Sequence, residues 1–326
     1  YLMILIPLYL LFILKNYFNN IMNEYEKFLE SKRKTFTESG FEIKESKLNP
    51  LLKDFQKYGV KTALFKGKFA FFFDCGLGKT FCQLEWAKQV SIKTKKKVLI
   101  LAPLAIVEQT KKEAIKFNIE VDVFDITNYD QLKNIETHFY SGVVLDESSI
   151  LKGRDGKMSS LIIETFKNTP YKLCCTATPS PNDHMELGQH VEFLGYDSYD
   201  NMKAMFFVQD QKIKTNDKWR LRKHAQDDFW KYVSSWSIAI DNPATLGFDS
   251  EGYNLPEIEY IEHIIKVENL SDNLFGDVAV SATDLHKDLN RSFDSRIEKT
   301  VELVNSIDSQ WIIWGLKNKE TDTLSK

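Results

Sequence analysis

The chain has 326 residues, of which 43% are hydrophobic and 27% charged. That is the balance of an ordinary soluble globular protein, and it excludes a disordered polyelectrolyte or a bundle of membrane spans. A net charge of −3 excludes a polycation that grips nucleic acid through its overall field, so any such binding has to come from local patches and backbone amides. The cysteines Cys75, Cys82, Cys174 and Cys175 form no CxxC pair. Neither a zinc site nor a disulfide framework is indicated, and buried free thiols in a reducing cytoplasm are expected.

Tyr1–Leu14 is an uncharged apolar run, shorter than the roughly 20 residues that a membrane-spanning helix needs. It lacks the basic start and small-residue cleavage site of a secretory signal. Met22 opens a soluble-looking segment. Residues 1–21 therefore read as an apolar leader from upstream read-through, with a membrane anchor as the alternative; no membrane partner is expected. Residues 22–50 read as a helical extension, with a surface helix over 24–38 from the spacing of Tyr25, Phe28 and Leu29.

Phe69–Phe73 is an aromatic run that predicts a buried strand, and Thr80–Val90 a helix. The alternation continues with a strand at Val98–Pro103, a helix at Ile106–Phe117, and strands at Val121–Phe124 and Val143–Leu145. A helix at Leu161–Phe166 and a strand at Tyr171–Cys175 complete it. Strands alternating with helices predict an α/β fold, a mainly parallel sheet covered by helices on both faces. Residues 198–250 show no clear βα repeat. Strands are expected again at Ile258–Val267 and, buried, at Trp311–Gly315, with a helix over Leu285–Ile307.

Three strings lie where strands end, the edge at which open α/β sheets place ligands. In the first, Gly76-Leu77-Gly78-Lys79-Thr80 joins a strand to a helix. Glycines let successive backbone N–H groups approach one anion at a helix N-terminus. The strict phosphate-loop pattern fails because Phe73 occupies its first glycine position. Lys79 is placed to meet β and γ phosphates and the Thr80 hydroxyl to bind magnesium; the plain alternative is a glycine turn with a surface lysine. In the second, Asp146-Glu147 follows Val143-Val144-Leu145. The aspartate suits a magnesium-bound water, and the glutamate suits deprotonation of an attacking water. The third is Thr176-Ala177-Thr178-Pro179.

Together these strings resemble superfamily 2 helicases and translocases, the DEAD/DEAH-box and Swi/Snf-type class built on RecA-like P-loop domains. Asp146-Glu147-Ser148-Ser149 resembles motif II, with Lys152 at a spacing familiar from the Swi/Snf-type branch. Thr176-Ala177-Thr178-Pro179-Ser180-Pro181-Asn182 resembles motif III, which implies a coupling role for Thr176, Ala177, Thr178 and Asn182. Phe55-Gln56 is similar to the adenine-reading Q motif. Pro103, Gln109 and Thr110 resemble motif Ia, and Thr127, Asn128 and Tyr129 the next nucleic-acid-contacting motif. The string Phe72–Thr80 is similar to helicases encoded by bacteriophages, which implies the cytoplasm of a bacterial host.

The resemblance implies ATP and Mg²⁺ as cofactors, held by Phe55, Gln56, Gly76, Leu77, Gly78, Lys79 and Thr80. It implies Thr80 and Asp146 on the metal, Glu147, Asp146 and Lys79 in catalysis, and nucleic acid, chiefly double-stranded DNA, as partner. It divides the chain into a RecA-like ATPase domain at 51–197, an aromatic and basic insertion at 198–255, and a linker with the start of a second RecA-like domain at 256–326. Arginine fingers of the family lie in later motifs, so weak hydrolysis without unwinding is expected. A nucleotide-gated clamp without hydrolysis and the motor of a restriction-modification protein, with a fused nuclease or methylase, are the alternatives. The run Lys212, Lys214, Lys218, Arg220, Arg222 and Lys223, interleaved with Trp219, is either a phosphate grip, with Trp219 or Trp230 stacking on a base, or a solvated hairpin. His184 and His190 have no third ligand in register and are expected to be satisfied or exposed rather than metal-bound.

Overall fold

The computed structural model describes residues 38–153, 156–209, 219–254, 256–265 and 289–325. The expectations for 1–21, for most of the helix over 24–38, and for Lys212, Lys214 and Lys218 lie outside the described residues. The chain divides into two units, Tyr1–Leu255 and Pro256–Lys326.

In the first unit the order is α1 (Asp54–Lys66), β1 (Lys68–Phe73), α2 (Lys79–Thr94), β2 (Val98–Ala102), α3 (Val107–Lys116) and β3 (Phe124–Asn128). There follow β4 (Gly142–Asp146), α4 (Lys157–Thr165), β5 (Tyr171–Cys175), α5 (Leu187–Leu194) and α6 (Tyr199–Phe206). A hairpin of β6 (Phe207–Gln209) and β7 (Trp219–Leu221), α7 (Gln226–Ser234) and β8 (Ser237–Ile240) complete it. Six strands form one parallel sheet in the order β3-β2-β4-β5-β1-β8, and β6 and β7 pair antiparallel.

Side chains alternate across this sheet. Phe69, Phe71 and Phe73 enter one core with Trp86, Ile100 and Leu173. Ala70 and Phe72 enter the other with Leu101, Leu145, Cys174 and Trp236. Each buried phenylalanine stabilises the fold by about 1.5–3 kcal/mol. Both faces being covered explains why β1 reads as a continuous apolar run.

Three expectations need correction in this unit. The third strand is Phe124–Asn128, with Val121–Val123 a 3-10 turn. As the sheet edge it alternates, turning Asp125 out to Lys97 at 2.9 Å while Phe124 and Ile126 sit in register with Val98 and Ile100. Within 198–250, where no repeat was legible, β8 adds a sixth strand beside β1. Three of the cysteines are buried, but Cys75 is exposed, because the turn after β1 directs it outward.

The second unit contains α8 (Phe293–Ser306) and α9 (Asn318–Leu324). The stretches 258–265 and Trp311–Gly315 are not strands. Trp314 is 90% exposed and Ile312 81% exposed, so the second stretch is not buried. An apolar run becomes a strand only by pairing, and neither stretch has a ladder partner among the described residues. Arg296 meets Glu320 at 2.5 Å, and the other Glu320 oxygen accepts the Leu316 and Lys317 amides at 2.7 and 3.1 Å. That clasp fixes the turn into α9.

Candidate nucleotide site

The phosphate-loop candidate runs from the tip of β1 into α2. Asp74 donates its amide to the Ile240 carbonyl of β8 at 2.9 Å. Gly76 and Gly78 have φ of +81° and +76°, a region that glycine enters without side-chain strain. A Cβ on Gly78 would lie 2.3 Å from Gln56 Nε2. Gly78 is the N-cap of α2 and offers no side-chain acceptor to its first turn, so the turn's amides point at the loop with the positive end of the helix dipole. Lys79 Nζ donates to the Phe73 and Asp74 carbonyls at 2.8 and 3.2 Å.

Gln56, on the first turn of α1, is buried. Its Oε1 accepts the Lys53 amide at 2.9 Å and its Nε2 donates to the Leu77 carbonyl at 3.0 Å. Phe55 is a core residue, packed on Phe73 and edge-on to Tyr253 at ring distances of 6.4 and 5.4 Å. It supports Gln56 and presents no surface of its own, and the Leu77 side chain is likewise buried.

The acidic pair ends β4, where Asp146 lies opposite Cys175 of β5. Asp146 is only 7% exposed. Burial pushes its carboxyl above the usual carboxylate range, the adjacent Gln83 amide acts the other way, and Glu147 adds to the rise. Glu147 has φ +57°, a left-handed conformation. Thr176, the first residue beyond β5, donates its hydroxyl to Glu147 Oε2 at 3.0 Å and accepts the Thr178 amide at 3.1 Å.

The donor set fits a triphosphate with magnesium. Thr80 and Asp146 supply hard oxygen ligands of the type magnesium takes. Lys79 rests on neutral carbonyls rather than on an acid. Gln83 is fully buried, and its amide faces Asp146 too loosely to make a full hydrogen bond, leaving polar capacity for a hydrated ion. Sequence reasoning missed Gln83; its position one turn beyond Lys79 on α2 was the available signal.

The expected nucleic-acid residues divide. Gln109 is exposed, and Pro103, Thr127 and Asn128 are half-buried. Thr110 and Tyr129 are buried, with hydroxyls donating to the carbonyls of Ile106 at 3.1 Å and Asp146 at 2.6 Å. Both hydroxyls are thus engaged within the protein. Arg222 closes the end of α6, donating to the Ala204 and Met205 carbonyls at 3.2 Å each. Arg220 is exposed, and Lys218 lies outside the described residues. Lys203 sits 3.8 Å over the Trp219 ring, and Trp230 meets His184 edge-on. Ala177 is half-buried and Thr178 exposed. Asn182 donates to Glu186 at 2.8 Å. Among the described residues no cluster of three or more His, Cys, Asp or Glu is arranged for a metal, and no helix is long and apolar enough to cross a membrane.

Residues 86–231 match the SNF2-related domain, a stretch running from α2 into α7. No curated protein matches the chain. Among solved structures, the Sulfolobus solfataricus SWI2/SNF2 ATPase core in complex with dsDNA is similar at 19% identity and a TM-score of 0.49, covering 61% of this chain and 46% of that one. The UvsW helicase from bacteriophage T4 is similar at 14% identity and a TM-score of 0.37, covering 45% and 58%. The Pyrococcus furiosus Hef helicase domain is similar at 18% identity and a TM-score of 0.39, covering 44% and 37%. This chain thus spans less than two thirds of each of these three structures. Over residues 86–231 the chain carries similarity to the SNF2-related domain, on a parallel sheet with Gly76–Thr80 beyond the tip of β1 and Asp146-Glu147 at the tip of β4.

Proposed function

We propose that this chain is the ATPase part of a superfamily 2 helicase or translocase that couples ATP hydrolysis to movement on, or remodelling of, double-stranded DNA. The observation that carries the reading is the convergence of three strand tips. Lys79 follows β1, Asp146 ends β4 with Glu147 next to it, and Thr176 after β5 is hydrogen-bonded to Glu147. The SNF2-related match over residues 86–231 supports it independently.

Magnesium bound with ATP would supply neutralisation of the β and γ phosphates. Lys79 exchanges two backbone carbonyls for phosphate oxygens. Thr80 and Asp146 would hold the ion, in part through water, and Glu147 would take the proton of the attacking water. Gln56 uses one donor and one acceptor within the protein; its second N–H and remaining lone pair stay available for adenine. Thr176, Ala177, Thr178 and Asn182 link Glu147 to the nucleic-acid side. Pro103, Gln109, Thr127, Asn128 and Arg220 offer sequence-independent backbone contacts there. Residues 51–197 form the first RecA-like domain in this reading, and 256–326 lead into a second.

The test is nucleotide binding and single-turnover hydrolysis by the full chain, with duplex DNA, single-stranded DNA or RNA. Lys79→Ala is expected to lose binding, and Glu147→Gln to bind but lose hydrolysis. Equal binding by wild type and Lys79→Ala would sink the site. Equal hydrolysis by wild type and Glu147→Gln would remove Glu147 as the base.

A further inference from the structure

We infer that Ser148 and His190 form a buried positioning pair that holds Glu147 in its left-handed backbone conformation and so aims the carboxylate that Thr176 grips. The inference rests on the reading of Glu147 given above and extends it to residues that take no part in contacting a ligand.

Left-handed backbone is unfavourable for a residue with a Cβ. Among the described residues, two other non-glycine residues adopt it, Lys95 and Asn118. Both follow a helix end, where that conformation is routine. Glu147 instead joins strand β4 to the 3-10 turn Ser148–Lys152, so its conformation must be held by contacts nearby.

Ser148 supplies them. It is fully buried, and its hydroxyl lies 3.2 Å from Nε2 of His190 on α5. The other ring nitrogen, Nδ1, faces the Glu186 carbonyl at 3.5 Å. With the Nδ1 proton assigned to that carbonyl, Nε2 accepts and the Ser148 hydroxyl donates. The imidazole is also fully buried, and Phe72 of β1 packs edge-on against it at 5.4 Å. Helix α5 and strand β1 thus fix the ring, the ring fixes Ser148, and Ser148 fixes the peptide that follows Glu147. The glutamate is held at both ends, its backbone through Ser148 and its Oε2 by Thr176. A pocket needing only volume here would be filled by an apolar side chain, without the cost of burying an imidazole.

The test uses the full chain with Ser148→Ala, His190→Gln, Glu147→Gly and the Ser148→Ala/Glu147→Gly double variant. Glu147→Gly is expected to shift the melting temperature more favourably in wild type than in Ser148→Ala, by roughly 2–4 °C, because only the wild type enforces the left-handed conformation. Single-turnover hydrolysis is expected to fall about tenfold in Ser148→Ala, with nucleotide affinity unchanged. His190→Gln, which keeps an acceptor for Ser148, is expected to lose less. Identical melting shifts in the two backgrounds would overturn the pair, as would wild-type hydrolysis by Ser148→Ala. Should Glu147→Gln hydrolyse like wild type, the role of Glu147 fails instead, and the melting cycle still decides whether the pair holds its backbone.

Discussion

The Tyr129 hydroxyl donates a hydrogen bond to the Asp146 backbone carbonyl at 2.6 Å. Strand β2 lies between β3 and β4, so this bond reaches past one strand end to fix the tip bearing the acidic pair. Burial and then the Asp146 carboxyl hold the phenol pKa well above its usual value, which keeps it a donor. Tyr129→Phe leaves a buried carbonyl without that donor and is expected to cost about 1–3 kcal/mol. Urea denaturation with an unchanged m-value checks this; an unchanged midpoint would show that the bond contributes nothing.

Thr176 reaches Glu147 through its hydroxyl alone. Thr176→Val keeps the shape and removes that hydrogen bond to a carboxylate, a loss of about 1.5–3 kcal/mol or roughly 10- to 150-fold. The expected fall is in the single-turnover rate constant, with ATP affinity retained and Thr176→Ser near wild type. Loss confined to affinity would contradict the coupling role.

Glu85 is buried on α2. Its Oε1 accepts the Asn49 amide at 3.1 Å and the Gln89 amide at 2.7 Å, while Oε2 lies 3.8 Å from Lys88 Nζ. Burial raises its pKa above 4.5. A raised folded-state pKa means that stability present below the unfolded pKa is lost as pH rises through the folded one. Glu85→Gln keeps both acceptor contacts and is expected to raise the melting temperature near pH 7 by roughly 2–4 °C. That gain vanishes below pH 4.5. A gain independent of pH would show that the ionised carboxylate is not what costs stability.

Burial lowers the His190 pKa from 6.5 to about 4. In this depressed case, stability present above the unfolded pKa is lost as pH falls through the window between the two values. The loss amounts to up to about 3 kcal/mol. His190→Gln is expected to flatten that segment of the stability curve. An equally steep curve in the variant would assign the loss to other groups.

What the sequence made legible was whatever is encoded by adjacency. The aromatic run of β1, the glycine turn at Gly76 and Gly78, and the acidic tip of β4 each announce themselves within a few residues. Strand β8 did not, because its apolar run Ile238-Ala239-Ile240 is short, lies in a stretch with no βα alternation, and becomes a strand through its pairing with β1. Trp311–Gly315 failed in the opposite direction, since its apolar run carries no information about a partner. The particular partners of Tyr129 and His190 were not legible for the same reason. Their hydroxyl and imidazole partners come from elsewhere in the chain, and nothing in a local window distinguishes a buried hydrogen bond from an exposed contact.

The anchoring of the phosphate loop on β8 gives it an order in time. Asp74 donates to Ile240, and Ala70 to Trp236 at 3.0 Å, so β1 and its loop lack these acceptors until a much later stretch of chain has emerged from the ribosome. A nascent chain arrested before Ser237 can assemble the strands between β1 and β5, yet its loop remains unpinned on one side. ATP retention by arrested chains is expected to begin only when β8 is outside the exit tunnel; retention before that point would refute the order. If the loop holds phosphate as proposed, an edge strand that touches none of it would be the last piece needed to complete it.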